Sequence, residues 1–194
     1  MNLVRMFSSE RYKGTKGYLR TQKKYEIVRT ILYFAISLSL FISGYITTGR
    51  RENLLTIVAV LGCLPACKSA VNMIMFLRYK GCSPALEEEF DTASWGMSCL
   101  YDCVFTSYSK NYEIAHLVVC GNTICGFSQD AKFDETHFYK HIDSLLKKDN
   151  FKDTSIKIFQ DKKKYLNRLA QMKELEVNET LTAGILSTLK SISL

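Results

Sequence analysis

The sequence predicts a membrane α-helical hairpin of two transmembrane helices, followed by a small C-terminal α/β domain in the order α-β-β-β-α-β-α. Three observations predict it. Two long apolar runs follow each other in the first half of the chain, and Lys and Arg crowd the outer flanks of that pair. Beyond residue 83 the apolar pattern changes to alternating helix and strand periods.

The chain has 194 residues, 47% of them hydrophobic, and a net charge of +7. That is enough apolar matter for a core or a bilayer, and too little length for two large domains. Residues 1–29 read as a basic cytosolic arm carrying Arg5, Arg11, Lys13, Lys16, Arg20, Lys23, Lys24 and Arg29, interleaved with Tyr12, Tyr18, Leu19 and Tyr25. Directly before a span, such an arm is expected to lie on anionic lipid headgroups, and its position disfavours nucleic acid.

Residues 30–49 are the first expected span. No charge stands between Arg29 and Arg50, and the stretch ILYFAISLSLFISGYI fills the interval. About 20 uncharged residues cover a hydrocarbon core roughly 30 Å thick. Residues 53–77, NLLTIVAVLGCLPACKSAVNMIMFL, are the second, with Pro65 expected to kink the helix. The connection TTGRRE is too short for a folded element, so the two helices should run antiparallel. Runs of this length exceed what a buried soluble hairpin needs. A signal peptide is disfavoured by the long basic region and the missing A-x-A site. Arg78 and Lys80 follow the second run, while the tip holds only Arg50 and Arg51, so both termini should be cytosolic and the membrane the cytoplasmic one.

Lys68 is the one cation inside a span. A charge at mid-bilayer costs about 2.5–3.5 kcal/mol, less if the side chain reaches the interface. The bland expectation is that it does reach the cytosolic side. The functional one is a polar contact at a protomer interface or a lined cavity, which leaves a homo-oligomer open. The second span also offers Gly62, Cys63, Ala66, Ser69 and Ala70, and the first offers Ser37, Ser39 and Ser43, small residues that let helices approach in lipid.

Ser83-Pro84 before Glu87, Glu88 and Glu89 marks a helix start, with Leu86, Phe90, Met97 and Leu100 facing inward and the acids on a solvated face. The stretches CLYDCVFTSY, EIAHLVVC and TICGFSQ read as strands, the last two joined by a two-residue turn at Gly121-Asn122. A helix from Asp134 buries Phe138, Ile142, Leu145 and Leu146. TSIKIF is a strand with Ile156 and Ile158 on one side. DKKKYLNRLAQMKELE is an amphipathic helix burying Leu166, Leu169 and Met172, and LTAGILSTLKSISL is a terminal helix. The seven cysteines are odd in number and lack a disulfide spacing, which suits a reducing compartment.

The turn fixes a register with consequences for chemistry. Cys120 should oppose Thr123, Ala115 should oppose Ser128, and Glu113 should oppose Asp130. Strict alternation then puts Glu113, Ala115, Leu117, Val119, Ile124, Gly126, Ser128 and Asp130 on one face. Glu113 and Asp130 are two carboxylates across a ladder, a candidate cation or acid-base pair. His116, Cys120 and Cys125 share the other face, a candidate zinc set or nucleophile-base pair that Cys99 and Cys103 could extend. Cys is also common in buried strands, and core packing is the favoured reading of this cluster.

The order α-β-β-β-α-β and the stretch EIAHLVVCGNTICGFSQD from Glu113 to Asp130 resemble the nuclease-related domain of the PD-(D/E)XK superfamily. The resemblance implies a restriction-endonuclease-like core and a metal-dependent nuclease site. The family places an Asp after Glu-Ile, a Glu at the end of the next strand and a Lys two residues on. Here those positions hold Ala115, Ser128 and Asp130, so the resemblance implies a nuclease without its catalytic set and without a metal cofactor. The expected function is a membrane-tethered, non-enzymatic interaction or regulatory module with a protein partner. The enzyme alternative is a nuclease-like hydrolase with displaced acids at Glu113 and Asp130, or a thiol- or zinc-dependent hydrolase using His116.

Overall fold

The structure is a computed structural model that describes residues 10–50, 52–175 and 178–194. It divides into two compact units, one holding Leu19–Lys80 and the other holding Glu10–Tyr18 with Gly81–Leu194.

The first unit is built from α1 (Tyr18–Thr48) and α2 (Leu54–Arg78). Both are long and apolar enough to cross a membrane. Helix α1 starts well before residue 30, so residues 18–29 are helical and continuous with the apolar segment. The helix ends at Gly49, whose φ of +65° suits glycine and turns the chain. Asn53 caps α2, its side chain accepting the Thr56 N–H at 2.8 Å. Helix α2 runs unbroken through Pro65.

Small residues bring the helices together. Ala59, Ala66 and Ser69 of α2 are buried, as is Ser37 of α1. With Gly62 they form one stripe at three- and four-residue spacing. A Cβ at Gly62 would stand 2.8 Å from Ser37 Oγ. Ser39 and Ser43 are exposed and take no part in this stripe. Near the open end a polar clasp joins the pair. Thr30 and Ser69 share a hydrogen bond of 2.8 Å, Arg29 Nε donates to Ser69 Oγ at 3.3 Å, and Arg29 also pairs with Glu26. Lys68 is exposed; its neighbour Ser69 faces α1.

The second unit contains α3 (Pro84–Ala93), β1 (Ser98–Thr106), β2 (Asn111–Cys120), β3 (Thr123–Phe127), α4 (Glu135–Lys148), β4 (Ser155–Phe159), α5 (Lys162–Met172) and α6 (Glu179–Ile192). The strands form one mixed sheet in the order β1-β2-β3-β4, antiparallel except for the parallel β3–β4 pair. Helices α4 and α6 bury Phe138, Ile142, Leu146, Ile185 and Leu189 on one face. Helices α3 and α5 bury Phe90, Tyr165, Leu169 and Met172 on the other. Ser83 and Pro84 do start α3, but the helix stops at Ala93. Leu100 lies in β1 and packs on the α4/α6 side, and Glu87 is buried rather than solvated.

The outer edge of β1 is closed. Tyr101 N–H donates to Gly14 O and Leu194 N–H to Val104 O, each at 2.9 Å, and Phe105 bridges Ser193. Lys16 pairs with Asp91 at 2.6 Å, and Lys13 donates to Ser193 O at 2.7 Å. Two cations assigned from sequence to the lipid-facing arm thus belong to the α/β domain.

Candidate functional site

The Gly121-Asn122 turn sets Cys120 opposite Thr123 and Leu117 opposite Gly126, the register read from the sequence. The faces, however, do not alternate through. On β2, Tyr112 and Ile114 share the α4/α6 cluster with Leu117 and Val119, a change from even to odd positions. On β1 the same change separates Leu100 from Cys103 and Phe105. It occurs at Asp102, which is buried with φ +52° and accepts the Cys82 N–H at 2.7 Å. A left-handed residue inside a strand rotates the residues after it to the other face. As a result Ala115 joins Val118, Cys120 and Cys125 on the α3/α5 side, away from Leu117 and Val119. Cys99 and Cys103 fall on opposite faces, so they do not together extend a ligand set.

The candidate acids Glu113 and Asp130, and Ser128 between the strands, all have partners within the fold. The Glu113 carboxylate accepts the Gly81 N–H at 2.6 Å. Ser128 is buried, and its hydroxyl donates to Glu113 O at 2.7 Å. Ladder pairing of β2 with β3 ends at Phe127, so Glu113 and Asp130 are not a cross-strand pair. Asp130 instead accepts the Lys132 N–H at 2.9 Å and lies 3.7 Å from Lys110.

His116 is wholly buried on the α3/α5 face. Its Nδ1 is 2.7 Å from Tyr165 OH, its ring stacks on Phe90 at 5.3 Å, and Tyr101 lies 4.6 Å away. Nε2 has no hydrogen-bond partner among the described residues. Burial pushes the imidazole down to about 3; Asp91 pulls it up and Lys16 pushes it further down. The Tyr165 phenol is held well above its ordinary range by the same burial. Cys125 is pushed up to about 12 and Cys120 also rises, both by burial. Burial thus favours the neutral imidazole and the protonated thiols in the folded chain. Among the described residues no three of His, Cys, Asp and Glu converge to hold a metal ion. All seven cysteines are free thiols.

A different surface carries cations that form no ion pair among the described residues. A groove of about 480 Å³ between β4 and α5 is lined by Lys157, Phe159, Lys164, Asn167, Arg168 and Gln171. Lys157 Nζ lies 5.6 Å above the Phe159 ring, and Arg168 donates to Gln171 Oε1 at 3.1 Å. The sequence holds a partial signal for it. Lys157 alternates against Ile156 and Ile158, and Lys164 and Arg168 stand four apart on one helix. That β4 lies at the edge of the sheet is a tertiary fact with no local signature. Compared with family models, curated proteins and solved structures, the chain matches none.

Proposed function

We propose that this protein is a membrane-tethered, non-catalytic interaction or regulatory module, its α/β domain built on a degenerate restriction-endonuclease-like core. One observation carries the reading. The positions that would hold a nuclease's metal and water are occupied by Ala115, Ser128 and Asp130, and Glu113 accepts the Gly81 N–H. An alanine cannot ligate a cation and a serine hydroxyl replaces a carboxylate poorly. The order α3-β1-β2-β3-α4-β4 and the mixed sheet support the core. The apolar outer faces of α1 and α2, with Ile46 and Leu54 each 76% exposed, support burial in lipid. The excess of Lys and Arg outside the hairpin tip supports cytosolic termini.

The test is cleavage. Purified full-length protein in detergent, incubated with single- and double-stranded DNA and RNA plus Mg²⁺ or Mn²⁺, should leave every substrate intact. Metal-dependent cutting that vanishes on Glu113→Ala or Asp130→Ala would overturn the reading in favour of displaced catalytic acids.

A further inference from the structure

We propose that the open edge of β4, with the cationic groove beside it, binds an extended acidic segment of a partner protein by strand addition. This deepens the interaction-module reading and rests on it.

The backbone of β4 is half used. Ser155 N–H donates to Asn122 O at 2.8 Å, and Phe159 O accepts the Ser128 N–H at 2.9 Å. In a parallel pair alternate residues face the neighbour, so Ser155, Lys157 and Phe159 direct their backbone groups to β3. The N–H and C=O of Ile156 and Ile158 therefore point away from the sheet. Their side chains are buried in the core and do not screen that edge. The opposite edge, on β1, is already covered by Gly14 and the Ser193–Leu194 end of the chain.

Charge selects the occupant. Lys157, Lys164 and Arg168 line one groove with no carboxylate among its lining residues, and none of the three forms an ion pair among the described residues. Lys164 and Arg168 stand at i and i+4 on α5, where like charges repel. Lys157 alone would discourage edge pairing between copies of the chain. The two further cations over the same groove are explained by an anionic ligand. A second hollow of about 460 Å³ continues along β4 and is lined by Phe133, Ile158 and Gln160 with Glu135 and Asp161. Asp161 is occupied as the α5 cap, accepting from Lys163 and Lys164 N–H. Glu135 repels acids from that end and so sets the register of an incoming strand.

A phosphodiester chain offers only acceptors to this edge and would leave the Ile156 and Ile158 carbonyls without donors. A peptide strand supplies both donors and acceptors at the matching spacing. Its side chains alternate, so acidic residues at every second position would face Lys157, Lys164 and Arg168. The intervening residues would face Phe133 and Ile158 and are best apolar.

The experiment uses the full-length protein in a zwitterionic detergent with EDTA, and a fluorescent peptide of alternating glutamate and valine about nine residues long, a typical strand. Fluorescence anisotropy should show saturable binding that weakens with salt. The Lys164→Ala/Arg168→Ala double variant, and separately Lys157→Ala, should each weaken it by about tenfold while leaving thermal unfolding unchanged. The same peptide N-methylated at alternate residues, in whichever phase faces β4, keeps its charge but cannot donate, and should not bind. Equal binding of both N-methylated phases, equal competition by a single-stranded oligonucleotide or by phosphatidylserine vesicles, or no saturable binding at all would each overturn the proposal. Nucleic-acid cleavage would defeat the non-catalytic reading alone, because peptide binding is read without metal. Absent peptide binding in a chain inert toward nucleic acid would defeat the strand-addition proposal alone.

Discussion

Replacing the buried imidazole with a side chain that does not titrate should remove a large part of the acid sensitivity of the α/β domain. In the folded chain burial holds His116 down at about 3, against an ordinary value of 6.5. Between these values the unfolded chain carries one proton that the folded chain refuses. Stability contributed by the neutral histidine is therefore complete above the unfolded value, falls as pH drops through 6.5, and stops falling near 3. Each pH unit inside that window is worth about 1.4 kcal/mol, so lowering pH from 7.5 to 4.5 should cost about 2.7 kcal/mol from this residue alone. His116→Gln retains a polar partner for Tyr165 OH but binds no proton. At neutral pH it should be less stable by about 1–3 kcal/mol, through lost packing on Phe90 and an altered hydrogen bond. At pH 4.5 most of that deficit should disappear or reverse. Pulse proteolysis in urea, with the full-length protein in detergent, reads the α/β domain directly. His137 and His141 are present in both proteins and cancel in the difference. A stability gap between parent and His116→Gln that is the same at pH 7.5 and 4.5 would refute the reasoning.

Lys68→Leu should leave insertion, thermal stability and oligomeric size in detergent unchanged, because Lys68 is exposed and Ser69 makes the contact with α1; aggregation or a changed size by light scattering would show that the charge holds an obligatory contact. Gly62→Leu should separate α1 from α2, since even its Cβ would sit 2.8 Å from Ser37 Oγ. A loss of about 1–3 kcal/mol is expected for such overpacking, read as an earlier thermal transition of the hairpin in detergent, and an unchanged transition would count against the close helix contact.

Much of the architecture was written in local signals. Ser83-Pro84 starts α3, Gly121-Asn122 turns β2 into β3, and the 3.6-residue stripes of α4 and α5 bury Phe138, Ile142 and Leu146, and Leu169 and Met172. Each depends on residues a few positions apart. The departures depend on distant ones. The helix period of residues 18–29 was hidden because its charges, read as a lipid-facing arm, carry no apolar stripe. Lys13 and Lys16 found partners more than seventy residues away, in Ser193 and Asp91. The exchange of faces at Asp102 was invisible for the same reason. Its positive φ is accompanied by a hydrogen bond to the Cys82 N–H, and no sequence period announces it. Around it Cys99 and Cys103 fall into different clusters, and on the neighbouring strand so do Ala115 and Leu117. In the candidate site, the shared face of His116, Cys120 and Cys125 could be read from alternation. The Tyr165 hydroxyl that meets His116 Nδ1 could not, because it arrives on α5.

Cysteine-accessibility labelling in intact cells tests most directly that the chain is a two-span hairpin holding its α/β domain in the cytosol. A membrane-impermeant maleimide should label a cysteine placed at Thr48, at the end of α1, and should leave one placed at exposed Ser155 unlabelled until the cells are opened. Labelling of the Ser155 position in intact cells, with Thr48 protected, would reverse the topology. Labelling of both positions only after lysis would contradict membrane crossing itself.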